Sequence, residues 1–331
     1  GDFMKRFLSV MLVVLLVLSL CACSKSEQTA QTQPEQESKF SVGYGRVDLS
    51  PSGSGFSLVG YGGNGTPPTP MTGVLDRIYG TCIAITDETG STVLIYTVDT
   101  LYTTHAEADG VRKVITEKTG IPGERIVLNG THTHASVSYG SILDYNTKML
   151  KAAEDALADR APATILTGSV DIQGLNFVRH YITEKGQVVG DNFNNALSAD
   201  NQRVKHATEA DKEMQIIRYV RENKKDILLV NWQAHPHRTG GFRKFDLSSD
   251  VIHYFRTTIE PTFLFAFYQG CAGNINTNSR IPSENMKQTP DYYADENHDY
   301  KTHGRCLAKA CFDILPTLRH IKSGEIHAVT A

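Results

Sequence analysis

Histidines follow the ends of two apolar segments of this chain, and imidazole is the commonest metal-binding side chain and a proton carrier near neutral pH. His132 and His134 come shortly after the apolar run 125–128, and His235 closes the run 227–234. In an extended backbone, His132 and His134 would point to one side, about 6.5–7 Å apart. That spacing is wide for chelation of one ion and favours one ligand beside one acid/base residue. His235 would supply a second ligand, and an open zinc site of this kind activates water.

A carboxylate follows a third apolar run. Asp99 comes directly after residues 93–98. It is expected either to orient a metal-bound histidine by accepting a hydrogen bond from its ring or to cap a helix. Each polar strand end is weak support for a metal site when taken alone. Their joint placement after apolar strands favours one.

The elements that must position these residues alternate between strand and helix. Apolar periodicity predicts strands at 81–86, 92–98, 125–129, 163–170, 214–220, 226–233 and 262–267, and helices at 104–118, 147–159, from about 250, and at 301–318. Turn residues at 87–90 and 222–224 predict two hairpins. We therefore expect an α/β fold with a mixed, largely parallel sheet flanked by helices. The site is expected at the carboxyl ends of the strands.

Composition argues against a nucleic-acid partner, and we expect none. The 331 residues contain 33 basic and 36 acidic side chains, for a formal charge of −3. No strong basic field is available to neutralise phosphates.

The N-terminus predicts export and lipid anchoring. Lys5 and Arg6 precede an apolar run at 7–20, which is too short for a comfortable membrane span and is typical of a signal peptide. Ala22 before Cys23 resembles a bacterial lipoprotein processing box, so residues 1–22 would be removed and Cys23 lipidated; a plain secretory signal cleaved nearby is the alternative. Residues 23–38 are polar and predict a flexible tether. The protein is then expected outside the cytoplasm, anchored to the bacterial cell membrane.

From about residue 41 to residue 331, the order of motifs resembles that of the neutral (non-lysosomal) ceramidase family. The most specific element is Asn129-Gly130-Thr131-His132-Thr133-His134. The looser segments, in the same order as in the family, are 45–51, 60–62, 75–79, 98–101, 231–236, 247–250 and 269–274.

This resemblance implies a zinc-dependent amidase domain that hydrolyses the N-acyl bond of ceramide. By the match, His132 and His235 would be zinc ligands and His134 an acid/base residue beside the metal. Arg179 would contact the substrate or its oxyanion. Zinc would polarise the amide carbonyl and activate water.

The chain departs from the family pattern in two places. Asn276 stands where the family has a serine, and an amide can donate a hydrogen bond to an oxyanion but cannot act as a nucleophile. A covalent serine mechanism is thereby excluded, whereas a zinc–water mechanism is not. The family completes its zinc site with a Glu and a Tyr far beyond this loop. We therefore expect these two ligands past Ala331, with residues 39–331 forming a catalytic domain truncated at its C-terminus.

The sequence as a whole predicts an exported zinc hydrolase of an N-acyl amide, such as a ceramide-like lipid, with a role in sphingolipid metabolism. Two alternatives stay open. The same metal site could hydrolyse a different amide or an ester, or the domain could be a non-catalytic, surface-binding lipoprotein.

Overall fold

The structure, a computed structural model, describes residues 40–53, 55–61, 69–190, 200–241, 245–277 and 299–321. These residues belong to one unit, Ser38–Ala331. The predicted signal peptide, the lipidated Cys23 and the tether lie outside the described residues. Across the described ranges, no helix combines the length and the apolar character that a membrane crossing requires.

Strands and helices alternate along the described chain. The strands are β1 (Phe40–Asp48), β2 (Ser57–Leu58), β3 (Thr69–Pro70), β4 (Gly73–Val74), β5 (Tyr79–Thr86), β6 (Thr92–Val98), β7 (Ile126–Gly130), β8 (Ala161–Asp171), β9 (Asn176–Val178), β10 (His180–Thr183), β11 (Val188–Gly190), β12 (Arg203–His206), β13 (Glu213–Arg221), β14 (Ile227–Trp232), β15 (Asp246–Leu247), β16 (Leu264–Gln269), β17 (Ile275–Thr277) and β18 (Arg319–His320). The α-helices are α1 (His105–Thr119), α2 (Tyr145–Ala158), α3 (Val251–Ile259) and α4 (Asp299–Ile314). The predicted helices and main strands are confirmed, with shifts of a few residues at their ends.

Local side-chain chemistry sets several of these boundaries. α1 begins in a capping box, in which the Thr104 side chain accepts from the Glu107 amide and the Glu107 carboxylate accepts from the Thr104 amide. It ends at Gly120, whose φ of 74° is left-handed. In the β5–β6 turn, the Asp87 carboxylate accepts from the amides of Thr89 and Ser91 at 2.9 and 3.0 Å.

The main sheet has the order β16-β14-β13-β8-β1-β5-β6-β7, with β18 beside β8. Its mixed character and the α/β class are confirmed. The expectation of a largely parallel sheet is wrong in detail, because only β14–β16 and β6–β7 pair in parallel. The other neighbours are antiparallel. Tight turns join β5 to β6 and β13 to β14, and strands joined by so short a connection can pair only in opposite directions.

The sheet folds over one of its own apolar faces. Six of its strands contribute to a shared interior cluster that includes Val42, Ile83, Tyr219, Leu229 and Ala266. Three strands separate β1 from β16 in the sheet order, yet Tyr44 Oη of β1 donates to the Phe265 carbonyl of β16 at 2.9 Å, which requires the sheet to fold. The outer faces are covered by α1 and α2 against β5 and β6, and by α3 and α4 against β13, β14 and β16. The layers therefore run helix, strand, strand, helix.

Folding brings the two parallel strand pairs together at their carboxyl ends. Asn129 at the end of β7 donates through Nδ2 to the Gln269 carbonyl at 3.1 Å and accepts at Oδ1 from the Gln269 amide at 2.8 Å. These bonds join the two outermost strands of the sheet order. The segments that follow β7, β14 and β16 consequently emerge close together.

Helix α2 lies directly on β1, and a glycine permits this approach. A Cβ on Gly45 would lie 2.1 Å from the Ala152 carbonyl oxygen, which is backbone and cannot move aside. We predict that Gly45→Ala lowers the free energy of unfolding by about 1–3 kcal/mol or more through overpacking. Chemical denaturation measures this change.

Gly140→Ala is the matched control, because nothing lies within 4 Å of a Cβ at that position. Equal stability of the two variants would contradict the close packing of α2 on β1.

Candidate metal centre

Three histidines converge where the strand ends meet. One ring nitrogen each of His132, His134 and His235 lies within 4.8 Å of the other two. The ring centroids of His132 and His235 are 4.5 Å apart, and those of His132 and His134 are 5.1 Å apart. Zinc holds imidazole nitrogens at about 2.0–2.1 Å, so this spacing approaches what a shared ion would impose.

The backbone at His132 explains why its ring reaches that of His134. β7 ends at Gly130, and His132 has a left-handed φ of 67°. The chain is therefore not extended here, and the expectation that the two rings would be too far apart for one ion is wrong. Because His132 departs from strand geometry, the rings of His132 and His134 are not held at the spacing of an extended strand. The structure thus places the His134 ring in the same candidate group as His132 and His235.

Main-chain carbonyls select the tautomer of all three rings. The Nδ1 atoms of His132, His134 and His235 lie 2.6, 2.9 and 2.9 Å from the carbonyl oxygens of Leu101, Gly60 and Ile275, respectively. A carbonyl oxygen can only accept, so each Nδ1 carries the proton. Each Nε2 is then left with a free lone pair, the arrangement that a metal-binding histidine needs. The Nε2 atom of His134 is buried and has no hydrogen-bond partner among the described residues.

Burial keeps the three rings neutral. Desolvation lowers the pKa of His134 and of His235 to about 4, and it also lowers the pKa of His132. The positive charge of Arg179 adds to the effect at all three rings. At neutral pH the cluster therefore presents neutral imidazoles, which is the form that binds zinc.

Arg179 lies beside this cluster. It directly follows β9, its amide donates to the Asn274 carbonyl at 2.9 Å, and its Nη2 donates to the Gly273 carbonyl at 2.8 Å. The pairing of β9 with β17 thus ties Arg179 to the loop that precedes Asn276. Asn276 is itself buried and forms a parallel bridge with His235, and its Oδ1 has no hydrogen-bond partner among the described residues.

A fourth histidine adjoins the group and was given no role from sequence. The ring centroid of His237 lies 5.7 Å from those of His134 and His235. Burial, followed by the charges of the neighbouring histidines, lowers its pKa to about 3. The signal was present in the alternation of His235 and His237, which repeats the spacing of the first histidine pair.

Asp99 does not orient these histidines. Its buried carboxylate accepts from Arg256 Nη2 at 2.7 Å and from the Tyr79 amide at 3.0 Å. Both expected roles are wrong, because main-chain carbonyls accept the imidazole hydrogen bonds and Thr104 caps α1. A buried carboxylate needs a charged partner, and Arg256 on α3 supplies it.

The architecture resembles that of known ceramidases. The neutral ceramidase from Pseudomonas aeruginosa superimposes with a TM-score of 0.63 and 16% sequence identity over 84% of this chain and 45% of that chain. The chain has a ceramidase-like fold. A structure of a ceramidase complexed with C2 matches with a TM-score of 0.62, 16% identity, 84% of this chain and 44% of that chain. This chain thus spans less than half the length of these ceramidases. No protein-family model matches the sequence.

The backbone contact behind His134 yields a prediction about metal affinity. A Cβ on Gly60 would lie 2.3 Å from the His134 Cα, so Gly60→Ala must displace the carbonyl that holds His134 Nδ1. We expect zinc affinity to fall about 10–100-fold, the usual effect of losing a partner of a metal ligand. Calorimetric zinc titration measures it. Gly140→Ala should bind zinc as the wild type does, and an unchanged affinity in Gly60→Ala would contradict the positioning role of this carbonyl.

The lowered histidine pKa values yield a second prediction. Protons compete with zinc for imidazole, and three ordinary histidines with pKa about 6.5 would lose about 600-fold in zinc affinity on going from pH 7 to pH 5.5. Because burial keeps these rings neutral to lower pH, we expect a loss of less than about tenfold over the same range. Chelator competition at each pH measures the affinity, with an unstructured three-histidine peptide as the reference. A loss as large as that of the peptide would contradict the burial argument.

Proposed function

We propose that this protein is a zinc-dependent hydrolase that cleaves an N-acyl amide bond, with a ceramide-like lipid as substrate. The observation that supports this most directly is the convergence of three neutral imidazoles, each with Nδ1 bonded to a main-chain carbonyl and Nε2 left to bind a metal. The donor set fits zinc, because neutral imidazole is a preferred ligand of that ion. The ceramidase-like fold supports the choice of an amide substrate.

His132, His134 and His235 would hold the ion. Bound zinc supplies a Lewis acid for the acyl carbonyl and lowers the pKa of water so that hydroxide is available near neutral pH. The main-chain carbonyl partners fix the imidazole rings before metal binding, so little reorganisation is needed. His237 lies beside His134 and His235 and offers a further neutral imidazole to substrate polar groups.

Arg179 would stabilise the developing oxyanion. Its charge lowers the pKa of all four histidines, so Arg179 lies near the place where negative charge would form. Asn276 adds an amide beside His235 and has no nucleophilic atom, so hydrolysis would proceed by direct attack of water without an acyl-enzyme at this position.

The location proposed for the protein suits a lipid substrate. Residues 1–22 would act as a lipoprotein signal peptide, Cys23 as the lipidated residue and 23–38 as a tether. The catalytic domain beginning at residue 39 would then work at the outer surface of the bacterial cell membrane, where acylated lipids are presented.

The activity is tested by fatty-acid release from ceramide, followed by chromatography. We expect the wild type to bind zinc and release fatty acid, and His132→Ala to lose both. His105→Ala is the matched control, because His105 is exposed at the start of α1.

Arg179→Gln should keep zinc but lower kcat about 10²–10³-fold, the usual cost of removing one oxyanion donor. Arg203→Gln removes the same charge from the nearby strand β12 and should have little effect.

The possible failures are distinguishable. Absence of zinc from the wild type would favour a non-catalytic binding protein. Zinc binding without release from ceramide, but with release from another N-acyl compound or ester, would keep the hydrolase and replace its substrate.

A further inference from the structure

Asp250 combines a strained backbone with a fully buried carboxylate. It stands at the N-terminus of α3 with φ 57° and ψ −140°, a conformation that favours glycine. Its relative exposure is 0%, and burial raises the pKa of its carboxyl above the usual value. A non-glycine residue in such a conformation is strained. A helix cap alone does not require this strain, since many N-cap residues adopt ordinary extended angles.

The carboxylate connects α3 to the loop that carries His235 and His237. Its Oδ2 accepts from the Thr239 amide at 2.7 Å and from Thr239 Oγ1 at 2.9 Å, while Oδ1 accepts from the Val251 amide at 2.8 Å. Thr239 lies two residues beyond His237 and is itself fully buried. One side chain thus holds the far end of the second histidine loop.

The residues just before Asp250 hold the first histidine loop. Thr133 Oγ1, between His132 and His134, donates to the Ser248 carbonyl at 2.8 Å. The Ser248 amide donates to the Ala135 carbonyl at 2.9 Å, and Ser248 Oγ accepts from the Asp250 amide at 2.8 Å. The segment 248–250 therefore bonds to both histidine loops.

Further hydrogen bonds connect the two histidine loops to each other and to the turn at Gly60. The His134 amide donates to the Pro236 carbonyl at 3.1 Å. Thr239 Oγ1 lies 3.3 Å from Tyr61 Oη, and the residue preceding Tyr61, Gly60, accepts from His134 Nδ1. A displacement of Thr239 would therefore move the His134 ring by two routes. One runs through Tyr61 and Gly60, and the other through the loop that contains Pro236.

We propose that Asp250 is a positioning residue of the metal centre, which holds the two histidine loops at the separation that one ion requires. The inference rests on the proposed function in one respect, namely that these histidines bind zinc. Asp250 acts through Thr239 and has no contact with the ligand rings in the described part of the chain.

Asp250→Gly separates this role from a backbone role. Glycine adopts the observed φ and ψ without strain, so the turn is retained while the carboxylate is removed. We expect zinc affinity of the full chain, measured by titration with zinc alone, to fall about 10–100-fold. The d–d absorption of the cobalt-substituted protein should also change, because the ligand geometry shifts. A purely structural turn would leave both readouts unchanged.

Thr239 supplies a second route if Asp250→Gly does not fold. Thr239→Val removes the hydroxyl shared by Asp250 and Tyr61 and should weaken zinc binding several-fold, whereas Thr239→Ser keeps the hydroxyl and should restore it. Thr257→Val is the matched control, because Thr257 is exposed on α3 and its hydroxyl donates to the His253 carbonyl of the same helix.

Wild-type zinc affinity in both Asp250→Gly and Thr239→Val would overturn the inference and leave the proposed function intact. A wild-type protein that binds no zinc would overturn both. Reduced affinity in these variants, with normal affinity in Thr239→Ser and Thr257→Val, would support the positioning role.

Discussion

The histidine cluster depends on how the main sheet removes its apolar surface from water. β6–β7 and β14–β16 stand at opposite ends of the sheet order, and both carry polar residues past their carboxyl ends. Folding the sheet over its apolar interior brings these ends together. The reciprocal hydrogen bonds between Asn129 and Gln269 then tie the two outermost strands at that point. Hydrophobic burial thereby supplies the geometry of a polar site, although no apolar residue takes part in its chemistry.

Main-chain carbonyls, and not acidic side chains, set the tautomer of the three rings. Carbonyls of Leu101, Gly60 and Ile275 accept from Nδ1 and leave Nε2 free. Because the partners are neutral, no nearby carboxylate offsets the effect of desolvation on the histidine pKa values, and the imidazoles stay neutral. The charge of Arg179 acts in the same direction. Burial, tautomer and charge thus all favour the form that binds zinc.

Two of the four non-glycine residues with positive φ in the described ranges, His132 and Asp250, lie at this cluster. His132 carries a candidate ligand, and Asp250 holds a neighbouring loop. Such conformations persist only where surrounding contacts outweigh their cost. Here the contacts are hydrogen bonds between loops, which join the Gly60 turn, both histidine segments and the start of α3.

The sequence by itself determined the elements and the polar residues at their ends. Helix capping at Thr104, the turn at Asp87 and the apolar alternation of the strands involve residues close together in the chain. They can therefore be predicted from the sequence. Only the tertiary structure decided which strands pair in parallel and that Asp99 forms an ion pair with Arg256. It also decided that the rings of His134 and His237 lie beside those of His132 and His235. These outcomes depend on contacts between segments far apart in the chain and on one left-handed residue. The contacts that stabilise these arrangements, apolar burial and hydrogen bonds between distant segments, exist only once the sheet has folded over.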